Sequence, residues 1–238
     1  MLIEGKNAIA EVLGNPSITI EKILIAKNTT DNAFISKIKN SGHKYQFVEK
    51  AALDKLSQTR NHQGFIAFTS DYKYHDLDQI FSLLKNKENG TILILDGVED
   101  PHNLGNIVRT AECMGVDAII IPKNRSAQVN ETVTRVSMGA ISHMRVCKVT
   151  NINQTIETLK QNNFWIYASD MNGKNVSKIN LKGRVGIVMG GEDTGVSQLT
   201  KKISDEVITI PMHGKTNSLN VANATAMILY EIQRQRSF

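Results

Sequence analysis

The sequence has only two cysteines, Cys113 and Cys147, among its 238 residues. This number is too small for the disulfide framework of a secreted domain. The N-terminal segment MLIEGKNAIAEVLG lacks the long apolar core of a signal peptide. No apolar run approaches the ~20 residues that are needed to span a bilayer. We therefore expect a cytoplasmic protein with reduced thiols and no membrane partner.

Sequence motifs of several other enzyme classes are also absent. No G-x-G-x-x-G follows a predicted strand, which argues against a dehydrogenase or another conventional nucleotide-dependent enzyme. Gly214-Lys215-Thr216 resembles the end of a phosphate-binding loop, but Thr209 stands where that motif requires glycine. The six histidines and two cysteines lack metal-ligand spacing, so we expect no metal site.

The composition is that of a globular protein, with 41% hydrophobic and 21% charged residues. The formal net charge of +5 is spread over both halves of the chain, and no block of like charges indicates a disordered tail. This mild basic excess permits an acidic partner such as RNA, but it does not identify an RNA-binding half.

Residues 1–70 have the patterns of a small α/β domain. Residues 71–90 shift in composition, and we interpret them as a linker that contains the first helix of the following domain, 91–238. In the first domain the predicted helices cover 4–13, 31–40 and 50–57, and the predicted strands cover 22–26, 44–48 and 64–68.

From residue 91 onward, apolar runs alternate with helical patterns. Continuous apolar strands separated by helices indicate an α/β fold with a parallel sheet that is covered on both faces. The predicted strands cover 91–98, 117–122, 144–149, 164–170, 185–191 and 206–211. The predicted helices lie near 103–115, 129–137, 151–162, 195–203 and 218–236.

Polar residues follow the first strand of this second domain, in LDGVEDPHNLGNIVRTAECMGV at 95–116. Ligands bind at the carboxyl ends of strands in open α/β sheets, so this segment is a candidate site. Asn103 is predicted to cap the following helix. Arg109 lies in the apolar or small-residue stretch IVRTA, where a buried or half-buried arginine needs an anion or a hydrogen-bonding partner. The alternatives are a structural ion pair and a surface arginine that keeps its charged end in water.

Two adjacent glycines end a later strand, in GIVMGGEDTGVSQL at 186–199. Gly190 and Gly191 allow the backbone to approach a ligand closely. Glu192 follows, and Gly195 is predicted to open a helix. The Glu192 carboxylate can hold a cationic or hydroxyl group of a ligand, or it can simply favour the helix N-terminus electrostatically.

A third polar loop precedes the final helix, in ITIPMHGKTNSLNVANATAMILYE at 208–231. Asn217 or Ser218 is predicted to cap this helix. Ser218 and Asn220 are predicted to point into the same crevice at the strand ends, with helix capping as the alternative role.

Taken in order, these segments resemble the three motifs of the SpoU branch of the SPOUT methyltransferases, N-x-x-x-x-x-R, G-x-E-x-x-G and I-P-M…S-L-N-V. EGKNAIAEVL and NHQGFIAF, in the first 70 residues, are similar to the substrate-binding domain of the RlmB and TrmH-like members. The resemblance therefore spans the chain. It implies methylation of an RNA ribose 2′-hydroxyl with S-adenosylmethionine as the methyl donor.

The resemblance also implies roles for individual residues. It implies a trefoil-knotted α/β domain whose knot forms much of a homodimer interface. Catalytic-site positions of the family match Asn103, Arg109, Glu192, Ser218 and Asn220, and cofactor-lining positions match Gly190, Ile210 and Leu219. In the N-terminal domain Arg60, His62 and Gln63 are candidates for holding a single-stranded RNA loop; a plain turn is the alternative.

Arg109 is a poor general base because the pKa of a guanidinium exceeds ~12. We expect it to bind the phosphate near the target ribose and to stabilise the developing alkoxide. Asn103 and Asn220 would orient Arg109 and the cofactor or ribose, and Glu192 would fix the pocket. The proton acceptor stays open between that phosphate, a water molecule and a transiently deprotonated Arg109.

The likeness to RlmB implies a guanosine of 23S rRNA as the target. The alternatives are a tRNA guanosine, an antibiotic-resistance methylation elsewhere on rRNA, and a non-catalytic RNA-binding protein. DNA lacks the 2′-hydroxyl, so we expect it not to be a substrate.

Overall fold

The computed structural model describes residues 1–13, 18–57, 60–192, 194–216 and 218–237. The chain divides into two compact units. The first comprises Met1–Lys73 and Val129–His143, and the second comprises Tyr74–Gln128 and Met144–Phe238.

The helices and strands are numbered here in chain order. The strands are β1 (Leu2–Glu4), β2 (Ile20–Ala26), β3 (Tyr45–Val48), β4 (Phe65–Thr69), β5 (Gly90–Asp96), β6 (Ala118–Pro122), β7 (Val146–Val149), β8 (Trp165–Asn175), β9 (Arg184–Gly190) and β10 (Glu206–Thr209). The α-helices are α1 (Lys6–Val12), α2 (Asn32–Asn40), α3 (Lys50–Leu56), α4 (Leu77–Leu84), α5 (Pro101–Cys113), α6 (Glu131–Val136), α7 (Ile152–Gln161), α8 (Gln198–Ile203) and α9 (Val221–Ser237).

The first unit contains a four-stranded sheet in the order β1-β4-β2-β3. β2 and β3 are parallel, whereas β4 is antiparallel to β1 and to β2. An aliphatic core joins α1 and α2 to this sheet, and within it the rings of Phe34 and Phe65 meet edge to face, 4.9 Å apart. The elements predicted for residues 1–70 are observed within two residues of their expected ends, and β1 is an additional short strand.

Residues 129–143 belong to the first unit, although their sequence pattern predicts a helix of the second domain. Oε1 of Glu131, in α6, accepts a 2.6 Å hydrogen bond from the backbone N–H of Leu2. Gly139 has a φ of 86°, and a Cβ added there would lie 2.2 Å from Cγ of Glu11. Local sequence patterns do not reveal these contacts, because they join segments that are far apart in the chain.

The second unit contains a sheet of six parallel strands in the order β10-β8-β9-β5-β6-β7. This arrangement confirms the predicted α/β fold with a parallel sheet. Every residue of β5 from Gly90 to Leu95 is buried, as expected for a strand covered on both faces. The trefoil knot stays a prediction. No helix in the described ranges has both the length and the hydropathy to cross a membrane.

The order of strands reverses between β5 and β9. From β5 the chain adds β6 and then β7 on one side of the sheet, and it later places β9, β8 and β10 on the other side. A crevice opens at the carboxyl ends of parallel strands at such a reversal. The residues that follow the paired ends Asp96 and Gly190 are therefore positioned to line this crevice.

Candidate active site

Three polar side chains from distant segments meet at this crevice. The Nδ2 amide of Asn103 donates to Oε1 of Glu192 at 2.9 Å. The Nδ2 amide of Asn220 donates to the same Glu192 oxygen at 2.8 Å and to Oδ1 of Asn103 at 2.9 Å. The structure thus brings together one residue from each of the three candidate segments, in a cluster that we call the Asn-Glu-Asn triad.

Helix α5 positions Asn103 in its first turn. Its N-cap is Asp100, whose side chain accepts a 2.9 Å hydrogen bond from the backbone N–H of His102, and Pro101 occupies the first helical position. The prediction that Asn103 caps the helix is therefore wrong. With an exposure of 6%, Asn103 is buried, and its amide is available for the triad.

Helix α9 fixes the third member of the triad. Oδ1 of Asn220 accepts from the backbone N–H of Ala222 at 3.0 Å, which caps the helix that begins at Val221. Because Oδ1 is occupied in this way, Nδ2 of Asn220 faces Asn103 and Glu192. The predicted cap Ser218 instead lies exposed, two residues before Asn220, and Asn217 lies outside the described residues.

The backbone around Glu192 is tightly packed, which explains its paired glycines. A Cβ added to Gly190 would lie 2.1 Å from the carbonyl carbon of Gly195, and one added to Gly191 would lie 2.2 Å from the carbonyl oxygen of Gly97. Gly195 does not open a helix as predicted. It forms an isolated antiparallel bridge with Gly191 and has a φ of 60°, and α8 begins at Gln198 after the cap Ser197.

Two adjoining clefts meet at Glu192. The first, of about 280 Å³, contains the predicted residues Gly190, Ile210, Ser218 and Leu219 in its lining. The second, of about 270 Å³, is lined in part by Asn103 and the loop after β5. Gly191, Glu192, Thr194 and Val221 line both clefts. A molecule in the first cleft would therefore lie beside the triad.

The first cleft also contains a carboxylate that the sequence analysis missed. Asp170 lies near the middle of β8, and its Oδ2 accepts a 2.7 Å hydrogen bond from Nζ of Lys201. This hydrogen bond, with a smaller contribution from the backbone N–H of Asn172, lowers the pKa of Asp170. The sequence carries a signal for this carboxylate, because Ser169 and Asp170 directly follow the apolar run FWIYA.

Comparison with known proteins identifies the family. The model of the SpoU rRNA Methylase family matches residues 90–230, and a model described as RNA 2′-O ribose methyltransferase substrate binding matches residues 2–75. A protein of Staphylococcus saprophyticus named as a TrmH family tRNA/rRNA methyltransferase is 41% identical over 243 residues, which cover 100% of this chain and 97% of that protein. The chain belongs to the SpoU rRNA methylase family.

Solved structures of SpoU proteins share this fold. The SpoU methyltransferase AviRb from Streptomyces viridochromogenes, in complex with the cofactor AdoMet, has a TM-score of 0.86 and 22% identity, covering 100% of this chain and 90% of AviRb. A TrmH/SpoU tRNA modifying enzyme of A. aeolicus is 33% identical with a TM-score of 0.58, covering 68% of this chain and 82% of that enzyme. The AviRb likeness therefore extends over both units.

The SpoU arginine is placed differently from our expectation. Arg109 is exposed rather than half-buried, and its side chain makes no hydrogen bond or ion pair within the described part of the chain. It follows Asn103 by six residues, which is roughly 9 Å along an α-helix. The structure therefore brings Asn103, Glu192 and Asn220 together, but it does not bring Arg109 into this cluster.

Two of the three predicted RNA-contacting residues of the first unit are exposed. Arg60 and Gln63 both have positive φ values, of 56° and 53°. Oε1 of Gln63 accepts a 3.1 Å hydrogen bond from the backbone N–H of Lys6, which joins the EGKN and NHQG segments. These two residues are accessible to a partner.

His62, in contrast, is 3% exposed. Its Nδ1 accepts from the backbone N–H of Gly64 at 3.0 Å, and its Nε2 lies 2.9 Å from Oδ1 of Asp54. Because Nδ1 accepts a hydrogen bond, the neutral ring carries its proton on Nε2, and the Nε2–H group donates a hydrogen bond to Asp54. This hydrogen bond is the main cause of the lowered pKa of Asp54. His62 is therefore buried and holds the loop, as in the alternative of a plain turn, and its contact with RNA stays a prediction.

Proposed function

We propose that this SpoU protein transfers the methyl group of S-adenosylmethionine to the ribose 2′-hydroxyl of a guanosine in 23S rRNA. Membership of the family already makes it an RNA methyltransferase. The observation that carries the proposal is the Asn-Glu-Asn triad beside the cleft at the strand reversal. Such a cleft, with convergent polar groups, is where an α/β fold of this type binds its ligand.

The residues of the first cleft fit the proposed cofactor. Apolar side chains of Ile210 and Leu219, together with the backbone at Gly190, suit a flat aromatic ring. The exposed carboxylate of Glu192 suits a ligand that carries positive charge, whereas the Asp170 carboxylate is already paired with Lys201. When bound, S-adenosylmethionine supplies an electrophilic methyl group on a sulfonium.

The triad would orient the reacting groups. The Glu192 carboxylate accepts two amide hydrogen bonds, which fix its position at the junction of the two clefts. Asn103 and Asn220 are held in turn by a buried helix position and by a helix cap. A rigid polar cluster of this kind lowers the entropic cost of aligning a substrate hydroxyl. Ser218 is exposed in the first cleft and would contact the cofactor or ribose.

Arg109 would act on the RNA phosphate. The exposed guanidinium has no partner among the described residues, so it can form a bidentate pair with a phosphate near the target ribose. It would also stabilise negative charge on the attacking oxygen. Arg60 and Gln63, which are exposed on the first unit, would contact another part of the RNA.

We further propose a cytoplasmic homodimer. Tyr230 and Met227, on α9, are 62% and 49% exposed, and they line an apolar depression with Ile210 and Pro211. Large exposed apolar side chains grouped on one surface favour association. Sedimentation of the purified protein tests this proposal, and a monomer at micromolar concentration would contradict it.

The choice of target depends on the first unit. EGKNAIAEVL and NHQGFIAF, which resemble the RlmB-like substrate-binding domain, support 23S rRNA. The 33% identity to a tRNA modifying enzyme of A. aeolicus, which covers 68% of this chain, supports a tRNA guanosine as the second candidate.

Transfer of labelled methyl from S-adenosylmethionine to unmodified 23S rRNA, 16S rRNA and tRNA tests the proposal. We expect label at one 2′-O position of 23S rRNA, mapped by nuclease digestion. The Arg109→Ala variant should lose transfer and keep cofactor affinity. Label in tRNA would replace the target and keep the reaction, whereas cofactor binding without label in any RNA would contradict the proposal for naked RNA. Absence of both would favour a non-catalytic RNA-binding protein.

A further inference from the structure

The loop that follows β6 carries exposed cations beside the triad. Residues 123–125, Lys-Asn-Arg, are all exposed and follow directly after Pro122, the last residue of β6. β6 pairs with β5 in a parallel arrangement, so this loop and the loop that precedes α5 both leave the sheet at the carboxyl ends of the strands. Adjacent strands lie about 4.8 Å apart. The loop is thus one strand away from the segment that carries Asn103.

Hydrogen bonds hold this loop to the active-site segment. The backbone N–H of Ala127 donates to the carbonyl of Val98 at 2.8 Å. Val98 is buried and lines the same cleft as Asn103 and Glu192. At the start of the loop, the backbone N–H of Lys123 donates to the carbonyl of Val149 at 2.8 Å. One end of the loop is therefore bonded to the segment after β5, and the other end is bonded to the last residue of β7.

The loop also has a constrained conformation. Arg125 has a φ of 54°, in the left-handed region that non-glycine residues seldom adopt. The Nε2 amide of Gln128 donates to the carbonyls of Pro122 and Ser126, at 3.2 and 3.1 Å, and closes the loop upon itself. Strained backbone that the surroundings hold in place is concentrated at functional sites, because it presents a side chain in a fixed direction.

Electrostatics indicates what these cations bind. The second cleft has the carboxylates of Glu99, Asp100 and Glu192 in its lining, which would repel the phosphates of an approaching RNA. Lys123 and Arg125 form no ion pair with any residue in the described ranges. Their charges are therefore available to a polyanion that enters the cleft.

We infer that Lys123 and Arg125 bind phosphates of the RNA strand that carries the target nucleotide, on the β6 side of the triad. This inference rests on the proposed function, which it deepens by naming a phosphate-positioning surface. The two side chains contact the RNA backbone rather than the reacting atoms, so they set the affinity and the register of the RNA. They leave the cofactor cleft unaffected.

The test uses substitutions that keep the loop intact. Arg125→Gly removes the guanidinium and retains the left-handed backbone, because glycine adopts positive φ without strain. Arg125→Lys retains the charge. Lys123→Ala removes the second cation. Lys182→Ala is the matched control, since Lys182 is exposed on the loop before β9, at the amino-terminal ends of the parallel strands. RNA affinity is measured over a range of salt concentrations, together with S-adenosylmethionine affinity and the kcat and KM for RNA.

We expect Arg125→Gly combined with Lys123→Ala to raise the Kd and KM for RNA about tenfold or more, with little change in cofactor affinity. The slope of log Kd against log salt should decrease by about 0.7 for each phosphate of single-stranded RNA that the variant no longer neutralises. Arg125→Lys should keep the wild-type slope, and Lys182→Ala should change neither quantity.

Wild-type affinity and an unchanged salt slope in the double variant would overturn the inference and leave the proposed function intact. An equal loss of affinity in Lys182→Ala would also overturn it, because the effect would then be one of general charge. If the wild-type protein itself binds no RNA and transfers no methyl, the proposed function has failed, which is a separate result.

Discussion

Nδ2 of Asn103 and Oε1 of Glu192 lie 2.9 Å apart, although 89 positions separate these residues in the sequence. The hydrogen bond joins the first turn of α5 to the loop after β9, at the strand reversal. Asn103 is buried, whereas Glu192 is exposed. The Glu192 carboxylate is therefore held by hydrogen bonds from protein amides and is still accessible to a ligand.

Removal of the buried amide should affect both stability and activity. Asn103→Ala leaves Asn220 and Glu192 with one partner fewer, so we expect the free energy of unfolding to fall by about 1–2 kcal/mol. The methyl-transfer rate should fall at least about tenfold, because the triad loses its fixed geometry. Asn106→Ala is the matched control, since Asn106 is exposed one turn later on α5. Equal effects of the two substitutions would contradict a special role for Asn103.

The paired glycines should not tolerate a methyl group. Gly191→Ala places Cβ against the Gly97 carbonyl oxygen, so we expect the free energy of unfolding to fall by about 1–3 kcal/mol and the cofactor affinity to fall with it. Gly214→Ala is the control, because nothing lies within 4 Å of a Cβ at that position. Denaturant unfolding and cofactor titration measure the two effects. Wild-type stability of Gly191→Ala would contradict this prediction, because it would show that the backbone at Gly97 can move away from the added methyl group at little cost.

The Asp170–Lys201 pair should make stability depend on acid pH. The folded pKa of Asp170 is lowered, so its contribution to stability is present above the unfolded pKa of about 3.9 and is lost as the pH falls through the folded value. Lys201→Met should therefore weaken the decrease in Tm below about pH 4. Lys182→Met serves as the control for removal of a positive charge. Parallel Tm curves for wild type and Lys201→Met would refute the assignment.

His62 and Arg60 should have separable effects. His62→Ala removes the acceptor of the Gly64 N–H and the donor to Asp54, so we expect the free energy of unfolding to fall by about 1–3 kcal/mol. Arg60→Ala should change stability by less than about 0.5 kcal/mol and should weaken RNA binding. Thermal unfolding and RNA titration of both variants distinguish these roles. A loss of RNA affinity in the stably folded His62→Ala variant that exceeds the loss in Arg60→Ala would reverse them.

The sequence predicted the helices and strands well because their patterns are local. Apolar runs such as those of β5 and β9 and the amphipathic helices between them carry their own signal. Helix starts were less accurate, since several polar residues near each start can cap. At α5 the cap is Asp100 rather than Asn103, and at α9 it is Asn220 rather than Ser218.

The candidate site was predicted in composition but not in geometry. Motif order selected Asn103, Glu192 and Asn220, and the structure places all three in one hydrogen-bonded cluster. The roles of the other predicted residues depend on whether their side chains are buried. A single sequence does not predict burial reliably at isolated polar positions. Arg109 is exposed rather than half-buried, and His62 is buried within its loop.

The assignment of residues 129–143 to the first unit has a consequence for synthesis. The chain leaves the first unit after Lys73 and returns to it at Val129. A nascent chain that has reached residue 73 therefore lacks α6, and with it the Glu131 side chain that binds the backbone of Leu2. The hydrogen bond between Glu131 and Leu2 can therefore form only after β5 and β6 have also emerged from the ribosome.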